Sequence, residues 1–429
     1  MMKYEYANSN IEWIGKHPKH WKVFRISQRV ESVVGGEWGS DPDTDDTEGS
    51  REIVVLRVSD FNNIYLSFDN LTIRRVKETK IPNRLISGNC LILEKSGGGE
   101  KQFVGRVAEA RDLSFEAITS NFIAKLEFDT KVNSHFMNYV FHDLYNSNLN
   151  FPYVQQTTGI QNINSTYYLY TKVPFPPKTE QIAIANYLDK ACADIERVVE
   201  IKKKQLEQTQ FMFFAFLDEI FENKGTNWIE DRIKDVSLIN PSLPVPNDIK
   251  TLVTVVPMEA VSEFGEIDNT NICEYQDVIG GLNYFQNGDV IFAKITPCME
   301  NGKGAYVDNL QTEIAFGSTE FFVVRPSGKL LGKYIYYFTR TLKFRQEAEA
   351  NMKGAAGQQR VVPRNFYNAK IQFPKSTSEQ KLIINKIEAF KEKNFTSVSI
   401  LEKQIEVLTS YKKSLIHEVV TGKKQVYDV

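Results

Sequence analysis

The sequence predicts an α+β chain: two β-rich domains in tandem, each followed by a long helix. Three observations carry this. The chain repeats itself with a period near 200 residues. Each repeat opens with short apolar runs set off by Gly-Asn or Gly-Asp turns. Each closes in some forty residues free of glycine and proline.

The repeat is seen at five places, in the same order, at offsets of 198–207 residues. Trp21-x-x-x-Arg25 matches Trp228-x-x-x-Arg232, and Gly88-Asn89-Cys90-Leu91-Ile92-Leu93 matches Gly288-Asp289-Val290-Ile291-Phe292-Ala293. Ser120-Asn121-Phe122 parallels Ser318-Thr319-Glu320-Phe321, and Gly159-Ile160-Gln161 parallels Gly357-Gln358-Gln359. Phe175-Pro176 and Phe373-Pro374 each lead to a Glu-Gln pair, Glu180-Gln181 and Glu379-Gln380. The boundaries that follow are 1–177 for the first domain, 178–223 for the first long helix, 224–375 for the second domain and 376–425 for the second long helix.

Within a repeat, Leu91-Ile92-Leu93 and Val290-Ile291-Phe292 read as strands, and Phe321 to Val324 as a strand ending at Arg325-Pro326. One short helical piece is expected from Tyr334 to Glu349, then a Gly-rich loop and a last strand into Phe-Pro. The first long helix has Thr179 as its candidate N-cap and an apolar stripe at Leu188, Ala191, Ile195 and Val198, turning polar near Lys202. The second carries a heptad stripe, Val398, Leu401, Ile405, Leu408, Lys412, Leu415 and Val419, stopped by Gly422. At 1.5 Å per residue each helix is roughly 60 Å long. A stripe this narrow calls for a partner: either the helix's own domain or, as we expect, the other helix. An antiparallel coiled coil of the two would relate the domains by a pseudo-twofold axis and suit a bipartite DNA site.

Composition argues against several classes. The net charge is −2, whereas a free-standing nucleic-acid binder is usually basic. The charge is uneven, however: Lys16, Lys19, Lys22, Arg25 and Arg29 form one basic segment, and Lys353, Arg360, Arg364, Lys370, Lys375 and Lys381 another. Acid gathers at Asp41, Asp43, Asp45, Asp46 and Glu48, read as a solvated loop rather than a nuclease site. The four cysteines, Cys90, Cys192, Cys273 and Cys298, have neither metal-site nor disulfide-framework spacing. His17 and His20 read as solvated, and the five histidines are scattered, so no metal is expected. No nucleotide-binding glycine motif, zinc-protease motif or methyltransferase Asn-Pro-Pro-aromatic element is present; Asn240-Pro241-Ser242-Leu243 reads as a turn. No catalytic residue is therefore assigned. The apolar runs are too short to span a membrane, and a cytoplasmic location is expected.

What remains is a set of four loops rich in amide and cationic side chains, the groups that read adenine and guanine edges. Lys95 to Lys101 and Lys294 to Gly304 occupy equivalent places in the two repeats, as do Gln155 to Asn164 and Gly354 to Arg364. The candidate double-stranded DNA contacts are Lys95, Lys101, Gln161, Asn162, Lys294, Thr296, Asn301, Lys303, Gln358, Gln359, Arg360 and Arg364, to bases or to phosphates. Phe211, Phe213 and Phe214, with Leu408 and Leu415, are candidates for binding a protein partner; packing of the aromatic cluster within the chain is the competing reading.

These residues resemble a known family. Val256 to Val261, Gly288 to Lys303 with its Lys294-Ile295-Thr296-Pro297-Cys298 core, Gly317 to Phe321 and Gly354 to Arg360 are similar to the target recognition domain of Type I restriction–modification specificity subunits. Glu12-Trp13-Ile14-Gly15 with His20-Trp21 resembles that family's start, and Leu415 to Lys423 the end of its second spacer helix. The first domain departs from the pattern at Lys95-Ser96-Gly97-Gly98-Gly99, as two domains reading different half-sites would. The resemblance implies a non-catalytic subunit that reads a bipartite, asymmetric DNA site. It implies two methyltransferase subunits that carry S-adenosylmethionine, and motor–nuclease subunits that carry ATP and Mg; the chain itself binds no cofactor. The rival readings are a coiled-coil protein-binding scaffold without DNA readout and a single-chain restriction or methylation enzyme.

Overall fold

The computed structural model describes residues 4–43, 48–99, 102–157, 159–242, 248–355 and 357–426. Asp45, Asp46, Lys101 and Leu243 lie outside the described residues. The chain folds as two compact units, Met1–Ile201 with Gln404–Val429 and Lys202–Lys403, so each unit takes one domain and part of both long helices.

In the first unit a four-stranded antiparallel sheet has the order Val107–Ala108, Cys90–Glu94, Ile123–Phe128, Val30–Gly35. The run Cys90-Leu91-Ile92-Leu93 is apolar throughout because the strand is covered on both faces. Leu91 and Leu93 face one core with the helix Ser134–Asn146, while Cys90 and Ile92 face a second. A three-stranded sheet adjoins, with Ala117–Thr119 parallel to Ser50–Leu56. Ile184, Leu188 and Cys192, early in the first long helix, pack into the same core as Leu415, Ile416 and Val419, late in the second.

The second unit repeats the plan. Its four strands are Ser237–Ile239, Phe321–Pro326, Val290–Ala293 and Gly304–Tyr306. Val290 and Phe292 face one core and Ile291 another. The neighbouring sheet again has a parallel pair, Leu252–Val256 with Ile314–Gly317. Here the late part of the first long helix meets the early part of the second: the Phe216 and Phe390 rings stack 4.0 Å apart, and Asn394 Nδ2 donates to Thr209 O at 2.7 Å.

The long helices run Lys178–Glu222 and Thr377–Val420. The second helix bears out its stripe: Val398, Leu401, Ile405, Leu408 and Lys412 are half-buried between exposed neighbours, and Leu415 and Val419 are buried where the shielded face widens to take in Ile416 and Val420. In the first helix Val199, not Val198, is shielded, and the stripe continues through Lys202, Leu206 and Thr209 to Phe213. Lys202 keeps its place because a lysine stem can lie along an apolar surface while its ammonium stays wet.

Other expectations need correction. The piece Tyr334 to Glu349 is two helices, Gly332–Arg340 and Leu342–Ala350, broken where Thr341 caps the second by accepting from Phe344 N. His17 is buried with Nδ1 2.9 Å from Pro18 O, and His20 Nε2 lies 2.9 Å from Glu180 Oε1. His17 is therefore not a solvated histidine, whereas His20 stays exposed in a turn, as expected, while meeting Glu180. Among the described residues no helix is long and apolar enough to cross a membrane.

Candidate nucleic-acid interface

In the second unit the strand Val290–Ala293 leads into the loop 294–303, which returns as Gly304–Tyr306. Main-chain bonds tie this loop to two others. Lys294 N–H donates to Glu320 O at 2.8 Å, and Lys294 O accepts from Val361 N at 2.8 Å. Thr296 closes a two-bond clip: its N–H donates to Gln359 O and its Oγ1 accepts from Gln359 N, each at 3.0 Å. Gln359 and Arg360 belong to a hairpin in which Met352–Lys353 pairs with Arg360–Val361.

The first unit builds the same frame from different side chains. Lys95 N–H donates to Phe122 O at 2.8 Å, and Lys95 O accepts from Ile163 N at 2.9 Å. The short strand Ser96–Gly97, expected to be loop, pairs with Ile160–Ile163, which pairs with Val154–Thr157. Lys95 thus corresponds to Lys294, Phe122 to Glu320, Asn162 to Arg360 and Ile163 to Val361. A further correspondence follows from the strand ends: Glu94 N–H donates to Arg106 O, and Ala293 N–H to Lys303 O, both at 2.8 Å. The two cations reach equivalent carbonyls, Arg106 Nη2 3.5 Å from Val58 O and Lys303 Nζ 3.4 Å from Met258 O.

Local charge differs between the frames. Glu94, 1% exposed, holds Arg106 through two bonds of 2.9 and 3.0 Å. Ala293 stands in the equivalent place and offers Lys303 no carboxylate. Glu320 holds Arg360 through Nε at 3.0 Å and Nη2 at 2.7 Å. These hydrogen bonds keep the Glu320 carboxyl below, and the Arg360 guanidinium above, their ordinary ranges. Both stay charged at neutral pH.

The expected contacts separate by exposure. Asn301, Gln358, Arg360 and Arg364 are exposed; Lys95, Asn162, Lys294, Thr296, Lys303 and Gln359 are half-buried. Lys101 lies outside the described residues. Gln161 must be reassigned. It is 3% exposed, its Oε1 accepts from Val104 N at 3.2 Å, and its Nε2 donates to Gly99 O at 3.4 Å. It braces the loop from beneath and cannot reach a base edge as placed. Asn162 Oδ1 accepts from Ser96 Oγ at 2.6 Å, and the Lys294 ammonium lies 5.7 Å from the Phe322 ring centre.

Three residues at the site escaped the sequence reading. Arg106 was legible in principle, because Gly105-Arg106 matches Gly302-Lys303 in the repeat. Phe122, 49% exposed, has no sequence signal beyond its place beside the repeated serine, and Glu320 has only that place and its part in the family-like segment Gly317 to Phe321.

The expected protein-binding residues also divide. Phe211 is exposed. Phe213 is buried against Phe214 and Phe395, with ring centres 5.6 and 5.9 Å away, and Leu415 is buried in the first unit's core. Phe214 and Leu408 are half-buried. Packing inside the chain takes up Phe213 and Leu415, which corrects their expected role. Among the described residues no group of three or more His, Cys, Asp or Glu is arranged to hold a metal ion.

Comparison with known proteins gives a consistent picture. A family model described as "Type I restriction modification DNA specificity domain" matches residues 18–208 and again residues 216–407. The chain is similar to the Type I restriction enzyme EcoAI specificity subunit of Escherichia coli, 31% identical over 197 residues that make 44% of this chain and 33% of the relative. It is also similar to the EcoEI specificity subunit of Escherichia coli, 34% identical over 163 residues, 37% of this chain and 27% of the relative. The matches thus span about a third of the length of these curated relatives. A chain from a structure on assembly and conformational transition of the type I R-M system has a TM-score of 0.73 at 13% identity, covering 95% of this chain and 99% of its own. The HsdS subunit from Thermoanaerobacter tengcongensis has a TM-score of 0.56 at 15% identity, covering 95% and 98%. Both share the fold.

Proposed function

We propose, on the premise that this chain belongs to the family of Type I restriction modification DNA specificity domains, that it is the DNA-reading subunit of a restriction–modification complex. It reads a bipartite, asymmetric duplex site, one half with each domain. The observation that carries this reading is the loop frame built twice on the same three main-chain bonds, with different side chains at equivalent places. A frame held by backbone can change its side chains without losing its shape. Base readout needs that division of labour, because sequence is read by side chains on groove edges.

The chain performs no chemistry in this reading. Two methyltransferase subunits bring S-adenosylmethionine, and motor–nuclease subunits, where the host has them, bring ATP and Mg. A cytoplasmic location goes with this role. The long helices pair antiparallel as a coiled coil, holding the domains apart about a pseudo-twofold axis and docking the methyltransferases. Support comes from each unit by itself: early turns of one helix pack with late turns of the other. Lys412 Nζ and Glu196 Oε1, 2.6 Å apart, continue that direction. Partner subunits can supply the positive surface that a net charge of −2 does not.

The test is methylome mapping in a methylation-deficient host, comparing the methyltransferase alone with methyltransferase plus this chain. A new bipartite adenine-methylated motif is the expected result. If a complex forms and no motif appears, the scaffold reading replaces this one.

A further inference from the structure

We propose that Glu320 is a specificity-determining residue that presents Arg360 to a guanine in one half-site. This rests on the DNA-reading role above and adds the base and the pair that reads it.

A guanidinium has five N–H donors in a fixed plane. Glu320 occupies one edge of Arg360, through Nε and Nη2. Nη1 has two N–H groups and makes one long contact, to Gln358 O at 3.4 Å, so the adjoining edge still has one Nη2 N–H and one Nη1 N–H, parallel and side by side. Two parallel donors match the O6 and N7 acceptors of guanine in the major groove; no other base offers that pair of acceptors. The Arg360 side chain is 46% exposed and Glu320 25%, so the carboxylate sits beneath and the free edge is accessible. The root of Arg360 is fixed as well: Val361 N bonds Lys294 O at 2.8 Å, and Gln359 is clipped to Thr296. Side-chain entropy is therefore spent in folding rather than in binding.

A surface ion pair contributes little stability. Holding an arginine by two bonds at the rim of a recognition loop is better explained by what the arginine is aimed at. The equivalent places in the first unit are Phe122 and Asn162, which carry neither charge. Asn162 accepts from Ser96 instead. The same frame therefore offers a bidentate guanine reader in one domain and an apolar and amide surface in the other. That asymmetry makes two half-sites differ at corresponding positions.

The experiment is methylome mapping with the full chain and its methyltransferase, comparing wild type, Arg360→Lys, Glu320→Gln and the double variant Glu320→Phe/Arg360→Asn. The expected wild-type motif has a G·C pair in the half read by the second domain. Arg360→Lys and Glu320→Gln should relax that one position, losing roughly 10- to 100-fold discrimination there. The first half must stay unchanged, which also shows that the variants fold. The double variant should change the preferred base at the same position. A uniform loss of methylation with no change in base preference would assign Arg360 to a phosphate and overturn the proposal. So would relaxation by Arg360→Lys but not by Glu320→Gln, which would remove the role of Glu320. A wild-type chain that yields no bipartite motif would fail at the earlier step, and the inference would fall with the function on which it rests.

Discussion

Gln181 Oε1 accepts the backbone N–H of Asn133 at 2.8 Å across 48 residues of chain. Its Nε2 donates to Pro176 O and Lys131 O at 2.8 and 3.1 Å. Gln380 repeats this with Leu331 N, Pro374 O and Lys329 O at 3.0, 2.9 and 3.0 Å. Both side chains are fully buried. The Phe-Pro…Glu-Gln motif is thus a clamp that fixes the start of each long helix to its domain. Replacing either glutamine by alanine strands buried backbone groups and should cost about 2–4 kcal/mol, at roughly 1 kcal/mol or more per group left unpaired. Denaturant unfolding of each variant checks this; a loss below about 0.5 kcal/mol would mean that water replaces the amide.

Arg106 and Lys303 occupy equivalent places but should respond oppositely to truncation. Arg106→Ala leaves the Glu94 carboxylate buried without its partner, a loss expected to destabilise by about 3–5 kcal/mol. Lys303→Ala strands no buried carboxylate and should leave stability within about 0.5 kcal/mol. Its effect should appear in DNA binding by the assembled complex, as a weaker dependence on salt. Thermal melts and salt-titrated gel shifts on both variants separate the two cases.

Burial, with Lys412 and Lys413 nearby, pushes the His142 imidazole down to about 4. Its unfolded value is near 6.5. The unfolded chain therefore binds the proton more readily. The stabilising contribution is complete above pH 6.5 and is lost as pH falls toward 4, at up to about 1.4 kcal/mol per pH unit. His142→Gln should flatten the stability profile in that window. Equal slopes for wild type and variant between pH 6.5 and 4 would contradict the assignment.

Asp189 gathers Tyr139 Oη at 2.7 Å, His135 Nε2 at 2.8 Å, and Tyr65 Oη and Arg111 Nη2 at 3.0 Å. Glu388 stands at the corresponding point of the second long helix, with Lys333 Nζ at 3.2 Å. Asp189→Asn should cost about 1–3 kcal/mol, since four donors lose a charged acceptor. Glu388→Gln, at a more exposed pair, should cost under about 1 kcal/mol. Parallel urea titrations give the comparison.

If the helix pair sets domain separation, adding one heptad between Val199 and Leu206 and another between Leu401 and Leu408 should lengthen the gap in the site by about 3 base pairs. Seven residues add roughly 10 Å of helix, and a base pair adds roughly 3.4 Å. Both half-sites should keep their bases. A motif with unchanged spacing would assign the separation to something other than the helices.

Repetition and periodicity are local properties, and they made much of this protein readable. The five paired motifs revealed the duplication, the 3–4 spacing from Val398 to Val419 matched the shielded face of the second helix, and the doubly covered strands announced themselves as apolar runs. An apolar pattern places the first helix one residue out of phase at Val198, because lysine and threonine, which continue its stripe at Lys202 and Thr209, do not count as apolar. The segment from Tyr334 looks continuous in sequence because Thr341 is an ordinary helix residue until its hydroxyl caps the next segment.

At the site, the sequence by itself determined which loops are equivalent and that their side chains are amides and cations. Only the tertiary structure decided which of these face outward. Gln161 looks like Gln359 in the repeat, yet it is buried because Val104 N and Gly99 O need partners beneath its loop. Glu320 lies 40 residues from Arg360 and gains its meaning from the fold that places them 2.7 Å apart. The physical reason is range. Helix and strand patterns follow from neighbours a few residues away, whereas hydrogen-bond satisfaction and charge pairing depend on groups that only long-range packing brings within about 3 Å.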